Sequence, residues 1–196
     1  MLQGRVGAVA DVQLTAFEHI LLGLICRAPS SGYDLKRRFA GSPIGVYQPS
    51  SGALYPALRR LEHKSLVRAP AAPTGPDRQA RPRHVYEPTE LGVTAHTSWL
   101  RARVTPDTVA RDLGLHLMRF VMMEHLLPPD EVLTLLRDLA DALAVFNAEL
   151  ERHLAATEPN GHARLALGHG LAVHRASLVW AEQTIAALSA SPPLSA

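Results

Sequence analysis

The chain has 196 residues, of which 47% are hydrophobic and 19% charged, a balance that favours a globular protein and excludes a disordered one. It contains no apolar run of about eighteen residues that would predict a membrane span and no apolar segment of a secretory signal at its start. The single cysteine, Cys26, excludes an intramolecular disulfide and suits a reducing cytoplasm.

The formal net charge of +2 is divided unevenly along the chain. Residues 11–104 hold thirteen Lys and Arg against seven Asp and Glu, whereas residues 105–196 hold six against eleven. A basic half followed by an acidic half indicates a polyanion-binding module joined to a separate assembly module, although a chance partition of surface charge would look the same.

Three helices are predicted in the first sixty residues. Thr15 caps the first one, with Glu18 three residues later in the pattern of a capping box. Residues 29–32 (PSSG) break this helix and cap a short second helix over residues 33–39. A third helix follows Ser51, and its apolar residues Leu54, Leu58 and Leu61 share a face that we expect to pack on the first helix.

Two short strands and a fourth helix follow. Residues 65–68 and 83–86 have the composition of strands, and residues 69–82 between them contain four prolines and two arginines. Two strands with a basic tip form a wing, whereas a simple solvated loop is the alternative for the tip. Thr89 caps the fourth helix, in which Leu91, Ala95, Trp99 and Ala102 are predicted to share an apolar face.

The second half is predicted to be helical over about 111–127, 130–157 and 163–188. Apolar residues there alternate steps of three and four, the rhythm of a coiled-coil seam, at Leu136, Leu139, Leu143, Phe146 and Leu150 and again at Leu167, Leu171, His174, Leu178, Ala181, Ile185 and Leu188. Helices of this kind need partners for their apolar faces, either within an internal bundle or across a dimer interface.

The order helix, helix, helix, two strands, helix is typical of a winged helix-turn-helix, and specific motifs within it resemble the PadR family of transcriptional regulators. The resemblance is found in residues 21–24 (LLGL), 31–36 (SGYDLK), 50–62 (SSGALYPALRRLE) and 86–92 (YEPTELG), followed by Trp99 and Leu100. The helical remainder resembles the C-terminal domain of longer, virulence-activator-like members.

Three features depart from the family pattern. Ser65 occupies a position that is usually glycine, which predicts a strained turn, and Pro88 replaces the usual leucine, which predicts an early end to the second wing strand. The wing is also long.

The resemblance implies a homodimeric repressor that binds a palindromic operator and releases it on sensing a phenolic acid, an antibiotic-like compound or another stress signal. The residues matched to the DNA-reading surface are Ser50, Ser51, Gly52, Tyr55, Arg59 and Arg60. Phosphate contacts are predicted for Lys36 and Arg37 on the second helix and for Lys64, Arg83 and His84 near the wing, with solvated surface groups as the alternative. An apolar effector pocket is predicted around Trp99, Met118, Phe120 and Met122, with plain core packing as the alternative.

Other functions have less support in the sequence. Ten histidines accompany no metal-ligand spacing, so neither a metal nor a cofactor is predicted. No nucleophile motif or phosphate-binding loop indicates an enzyme. The closest rival is a winged-helix adaptor that binds protein and not DNA.

The predicted fold is therefore mainly α with an α+β wing: a winged helix-turn-helix followed by an α-helical dimerisation domain. The expected divisions are an arm at 1–13, the DNA-binding domain at 14–104, the dimerisation domain at 105–190 and a tail at 191–196. The expected setting is the cytoplasm of a bacterium.

Overall fold

The computed structural model describes residues 13–40, 51–69, 84–156 and 161–190. Within this part of the chain there are seven helices and three strands, in two compact units: an N-terminal unit, Met1–Trp99, and a C-terminal unit, Leu100–Ala196. Nearly all of the predicted arm, the wing tip and the tail lie outside the described residues. None of the described helices has the length and hydropathy to cross a membrane.

The N-terminal unit begins with α1 (Ala16–Arg27), whose cap is the predicted one. Thr15 Oγ1 accepts a hydrogen bond from Glu18 N, and Glu18 Oε2 accepts one from Thr15 N at 2.8 Å. Ser31 caps α2 (Gly32–Ala40) in the same way, with its hydroxyl accepting from Asp34 N and the Asp34 carboxylate accepting from Ser31 N. Both caps satisfy backbone N–H groups that have no partner inside the helix.

The third helix, α3 (Ser51–His63), packs its predicted apolar face inward. Leu54, Leu58 and Leu61 are at most 1% exposed, and Ala57 is fully buried beside them. The helix ends in a Schellman motif, in which Leu66 N donates to Leu61 O and Ser65 N donates to Glu62 O. Ser65 has a φ of 57°, so the strained turn expected from a serine in place of glycine is confirmed.

The sheet is three-stranded and antiparallel, in the order β1 (Ser30–Ser31), β3 (Val85–Pro88), β2 (Val67–Arg68). The prediction that Pro88 ends the second wing strand early was wrong, because Pro88 is paired with Val67 inside β3. Ser65 and Leu66, predicted to be strand, instead form the cap of α3. The strand β1 was not predicted, since two serines before a helix carry only the signal of a cap.

The fourth helix, α4 (Glu90–Leu100), begins with Gly92 N donating to the predicted cap residue Thr89. It buries Gly92, His96 and Leu100, whereas Leu91 is 39% exposed and Ala102 lies beyond its end. The predicted apolar face of α4 was therefore wrong, because the buried residues lie one position later in the chain than the predicted ones. Gly92 sets the phase of this helix, because a Cβ there would lie 2.0 Å from Leu66 O.

The C-terminal unit consists of α5 (Pro106–Met123), α6 (Pro129–Ala156) and α7 (His162–Ala190). A kink at Asp112 divides α5 into two segments, and the Asp112 carboxylate accepts a hydrogen bond from Leu115 N at the start of the second. The predicted start near 111 corresponds to this second segment. The first segment, which begins at Pro106, was not predicted. The predicted end at 127 was wrong, because the helix stops at Met123 and His125 takes a left-handed φ of 62°.

The two long helices pack against each other along the predicted seams. Leu136, Leu139 and Leu143 are fully buried on α6, and Leu171 and Ala181 are buried on α7. Arg164 contacts Leu154, and His174 contacts Phe146, so the chains of α6 and α7 run in opposite directions. The fold is a winged helix-turn-helix followed by a helical region, which confirms the predicted class.

Candidate nucleic-acid interface

The outer face of α3 carries most of the residues predicted to read DNA. Gly52, Tyr55, Arg59 and Arg60 are all exposed, opposite the buried leucines. Ser51 begins the helix, and Ser50 lies outside the described residues. A helix that is anchored through one apolar face and carries small, aromatic and cationic residues on the other has the composition needed to enter a groove of an anionic polymer.

Tyr55 is held at the junction of α2 and α3. Its side chain is 48% exposed, and its ring lies against Gly32, where an added Cβ would be 2.7 Å from Tyr55 Cε1. A larger residue at position 32 would therefore displace the ring. The glycine that opens α2 thus places an aromatic hydroxyl-bearing side chain at the surface.

The adjacent arginines of α3 differ in their surroundings. Arg60 Nε donates to Glu18 Oε1 at 2.6 Å, and the Arg60 side chain is 53% exposed. Arg59 is exposed, and the structure gives it no hydrogen bond or ion pair within the described residues. One cation is therefore tethered to α1, while the other extends into solvent.

Tyr86 on β3 lies beneath this face and was not singled out from the sequence. It is 9% exposed, and burial, together with the nearby Glu62 carboxylate, raises the pKa of its hydroxyl. Arg59 and Tyr55 also act on this hydroxyl electrostatically, so β3 supports the base of the α3 surface. Its position inside a sequence motif, YEPTELG, was the available signal.

The predicted phosphate contacts are distributed around α3. Lys36 and Arg37 are exposed on α2, whose inner residues Leu35 and Phe39 are buried. Lys64, just after α3, donates from Nζ to Gln13 O at 2.6 Å. His84 is exposed immediately before β3, and Arg83 lies outside the described residues.

The four residues predicted to line an effector pocket are described within their own units. Trp99 is half-buried and stacks on His19 with ring centroids 4.4 Å apart in the N-terminal unit. In the C-terminal unit Met118 and Met122 are buried, and Phe120 packs edge-on against Trp180 at 5.5 Å. A shared pocket for these residues stays a prediction.

A cavity of about 100 Å³ lies within the C-terminal unit. Its lining includes the buried Arg119, which donates from Nη2 to Leu100 O at 2.8 Å and also to Ala102 O. Burial lowers the pKa of Arg119 to about 10, against the opposing effect of Asp138 on the same wall. The guanidinium thus binds the last carbonyl of α4 and one just beyond it, as expected for a cation at a helix C-terminus.

The described part of the chain holds no cluster of three or more His, Cys, Asp or Glu residues with the arrangement of a metal site. Cys26 is half-buried, and burial raises the pKa of its thiol to about 11, which makes the thiolate scarce at neutral pH.

Residues 21–98, from α1 to near the end of α4, match the Transcriptional regulator PadR-like family. No match was found among curated protein sequences. The chain is similar to the solved structure of Bacillus subtilis PadR in complex with operator DNA, at 19% identity, a TM-score of 0.41, and coverage of 89% of this chain and 99% of that one. The complex of the same protein with p-coumaric acid gives 18% identity, a TM-score of 0.40, and coverage of 89% and 99%.

A third similar structure is the Vibrio cholerae virulence activator AphA, at 20% identity, a TM-score of 0.35, and coverage of 89% of this chain and 98% of that one. At these scores the assignment depends on the family match and on the motifs that α2, α3 and β3 carry. Residues 21–98, which include α2, α3 and the sheet, thus match the PadR-like family of transcriptional regulators.

Proposed function

We propose that the chain is a repressor that binds a palindromic operator as a homodimer, with α3 in the major groove. The observation that carries the proposal is the outer face of α3, where Tyr55, Arg59 and Arg60 are exposed on a helix whose inner face is buried. Arginine pairs bidentately with guanine or with phosphate, and tyrosine donates to phosphate oxygens. Lys36 and Arg37 extend the cationic surface onto α2.

Dimerisation is supported by the second apolar face of α7. Leu165, Ala172, Val179 and Ala186 recur at every seventh position and are all exposed, on the side of the helix away from Leu171 and Ala181. The charged residues Arg164, Arg175 and Glu182 occupy one narrow strip between the two faces. A helix that is apolar on two sides is expected to be covered on both, and a second copy of the chain supplies an identical surface.

Two recognition helices related by a twofold axis would read half-sites about one DNA turn apart, which is why the operator is proposed to be a palindrome. The signal that releases the operator is proposed to be a small apolar or phenolic molecule. The proposed effector contacts are Met118, Phe120 and Met122 in the C-terminal unit, with Trp99 in the N-terminal unit as a separate candidate, because flexible thioethers and aromatic rings accommodate apolar ligands.

The test is selection of bound duplexes from a randomised pool, followed by titration of the winning duplex at about 50 to 200 mM salt. We expect a steep fall in affinity with salt and a palindromic winner. Arg59→Ala should weaken binding by about tenfold and reduce the salt slope by about one. Arg111→Ala, which removes an exposed arginine from the C-terminal unit, serves as the matched control.

Binding that ignores salt, or a pool without a winning sequence, would instead favour the protein adaptor. The effector is tested on the same duplex with p-coumaric acid as the probe. The wild-type protein should release the duplex when p-coumaric acid is added. Trp99→Ala should change the concentration of the acid that is needed for release. An unchanged response combined with lower thermal stability would identify Trp99 as a core residue only.

A further inference from the structure

Glu18 is a buried carboxylate between α1 and α3. Its side chain is only 3% exposed. Its neighbours Leu21, Leu22 and Ile25 on α1 are apolar and fully buried, so the carboxylate lies in apolar surroundings. An unpaired carboxylate at such a position would be strongly destabilising. Its partners therefore explain why it is tolerated.

The two carboxylate oxygens of Glu18 have separate partners. Oε2 accepts from Thr15 N at 2.8 Å and from Thr15 Oγ1 at 3.1 Å, while Oε1 accepts from Arg60 Nε at 2.6 Å. Burial alone would raise the pKa of Glu18, but the hydrogen bonds from Arg60 and Thr15 and the charge of Arg60 lower it below its usual value. The group is therefore an anion at neutral pH.

The bond to Glu18 uses only one edge of the Arg60 guanidinium. Nε is occupied, and the side chain remains 53% exposed, so the two Nη groups are left for an external acceptor. Arg59, one residue earlier, has no such anchor within the described residues.

We propose that Glu18 is a positioning residue that fixes the Arg60 guanidinium for sequence-specific readout, an inference that rests on the proposed DNA binding. A free arginine loses considerable side-chain entropy when it is ordered, and anchoring at Nε removes much of that loss before DNA arrives. Because the guanidinium is planar, fixing Nε also fixes the direction of the two Nη groups. Arg60 then contributes to discrimination between sequences, and Arg59 to uniform attraction of phosphate.

A purely structural tie between α1 and α3 would use the same bond, so the experiment must separate the two roles. Glu18→Gln keeps a side chain that the capping box accepts at this position but removes the charge that holds Arg60. Thr15→Ala is the matched control, since it removes the hydroxyl that caps α1 and its one bond to Glu18 Oε2, but leaves the bonds to Glu18 from Thr15 N and from Arg60 Nε.

The measurement is the ratio of affinities for the selected duplex and for a scrambled duplex of equal length, in wild type, Glu18→Gln, Arg60→Gln and the double variant. We expect each single change to lower the ratio by about tenfold, the scale of one good bidentate contact. The double variant should be no worse than Arg60→Gln alone, because Glu18 acts only through Arg60. Thr15→Ala should lower thermal stability and leave the ratio unchanged.

An unchanged ratio in Glu18→Gln would overturn the inference, as would a further tenfold loss when Glu18→Gln is added to Arg60→Gln. If Glu18→Gln does not fold, the order parameters of the arginine Nε–Hε groups in wild type decide. Rigid Arg60 with mobile Arg59 supports the inference, and equal mobility overturns it. A wild-type protein that does not discriminate between the two duplexes overturns the proposed DNA reading, and this inference with it.

Discussion

The two units of the chain differ in how much of the apolar surface of their helices is buried. In the N-terminal unit α1, α2 and α3 enclose a set of fully buried side chains, and the exposed Tyr33 and Tyr55 lie around the proposed DNA surface. In the C-terminal unit the 29-residue α7 buries only Leu171 and Ala181 and exposes Leu165, Val173, Val179 and Leu188. The N-terminal unit also exposes Val85, Leu91 and Val93, but no helix in its described residues has as continuous an exposed apolar face as α7, and this contrast supports the proposed dimer, in which a second copy covers that face.

The prediction with the largest expected effect tests this contrast by placing charge on the exposed apolar face of α7. Leu165→Glu with Val179→Glu should convert a dimer to a monomer, with dimer affinity reduced by about a thousandfold, or about 4 kcal/mol, because carboxylates would be buried in an apolar interface. Sedimentation velocity over a range of concentrations measures the effect.

The control for this variant is Ala144→Glu with Ala148→Glu, which adds the same charges at exposed positions on α6. If the α7 face is ordinary surface, both double variants will sediment like wild type, and the contrast between the two units will not hold.

Acid should weaken the N-terminal unit through His96. This side chain is 1% exposed, neither ring nitrogen has a hydrogen-bond partner among the described residues, and burial lowers its pKa to about 4. The folded unit prefers neutral His96, so this contribution is complete above the unfolded pKa of about 6.5 and is lost as pH falls through about 4. Between pH 8 and pH 5 the expected loss is about 2 kcal/mol.

The chain has two tryptophans, and each unit contains one, so fluorescence can report the units separately. His96→Leu should flatten the pH dependence of urea unfolding seen by Trp99, whereas His84→Leu, at an exposed position, should not. An unaltered pH slope in His96→Leu would show that His96 does not govern acid stability. The C-terminal unit also contains a histidine with a lowered pKa, His116. Its burial and the nearby charge of Arg119 are the causes.

The smallest expected effect concerns one turn in each unit. Ser65 and His125 adopt left-handed φ values of 57° and 62°, where a side chain is strained and glycine is not. Ser65→Gly should stabilise the N-terminal unit and His125→Gly the C-terminal unit by about 0.5 to 1 kcal/mol each, after allowing for the greater entropy of glycine in the unfolded chain. Urea unfolding followed at Trp99 and Trp180 measures each change, and a gain at the wrong tryptophan, or a loss, would contradict the assignment.

Much of the N-terminal unit was predictable from the sequence because its signals are local. The Thr15–Glu18 cap and the inner face of α3 each depend on residues a few positions apart, whereas the strain at Ser65 was expected from the family pattern, which has glycine there. The phase of α4 was not predictable in this way, since it is set by Gly92 against the backbone of Leu66, twenty-six positions earlier in the chain.

The surface residues of the candidate site were predictable, but their partners were not. Arg60 was identified from the α3 motif, whereas its bond to Glu18 joins residues 42 positions apart. One signal was present: Glu18 lies among the buried apolar residues of α1, the helix on which α3 was expected to pack. A carboxylate on such a face calls for a cation on the opposing helix.

The contact between Gly92 and Leu66 also limits how the N-terminal unit can deform. Thr89 N and Oγ1 both donate to Leu66 O, and Gly92 leaves no space for sliding, so the start of α4 and the turn that ends α3 form one rigid joint. A larger residue at position 92 is therefore expected to disturb the last turn of the proposed reading helix as well as the start of α4.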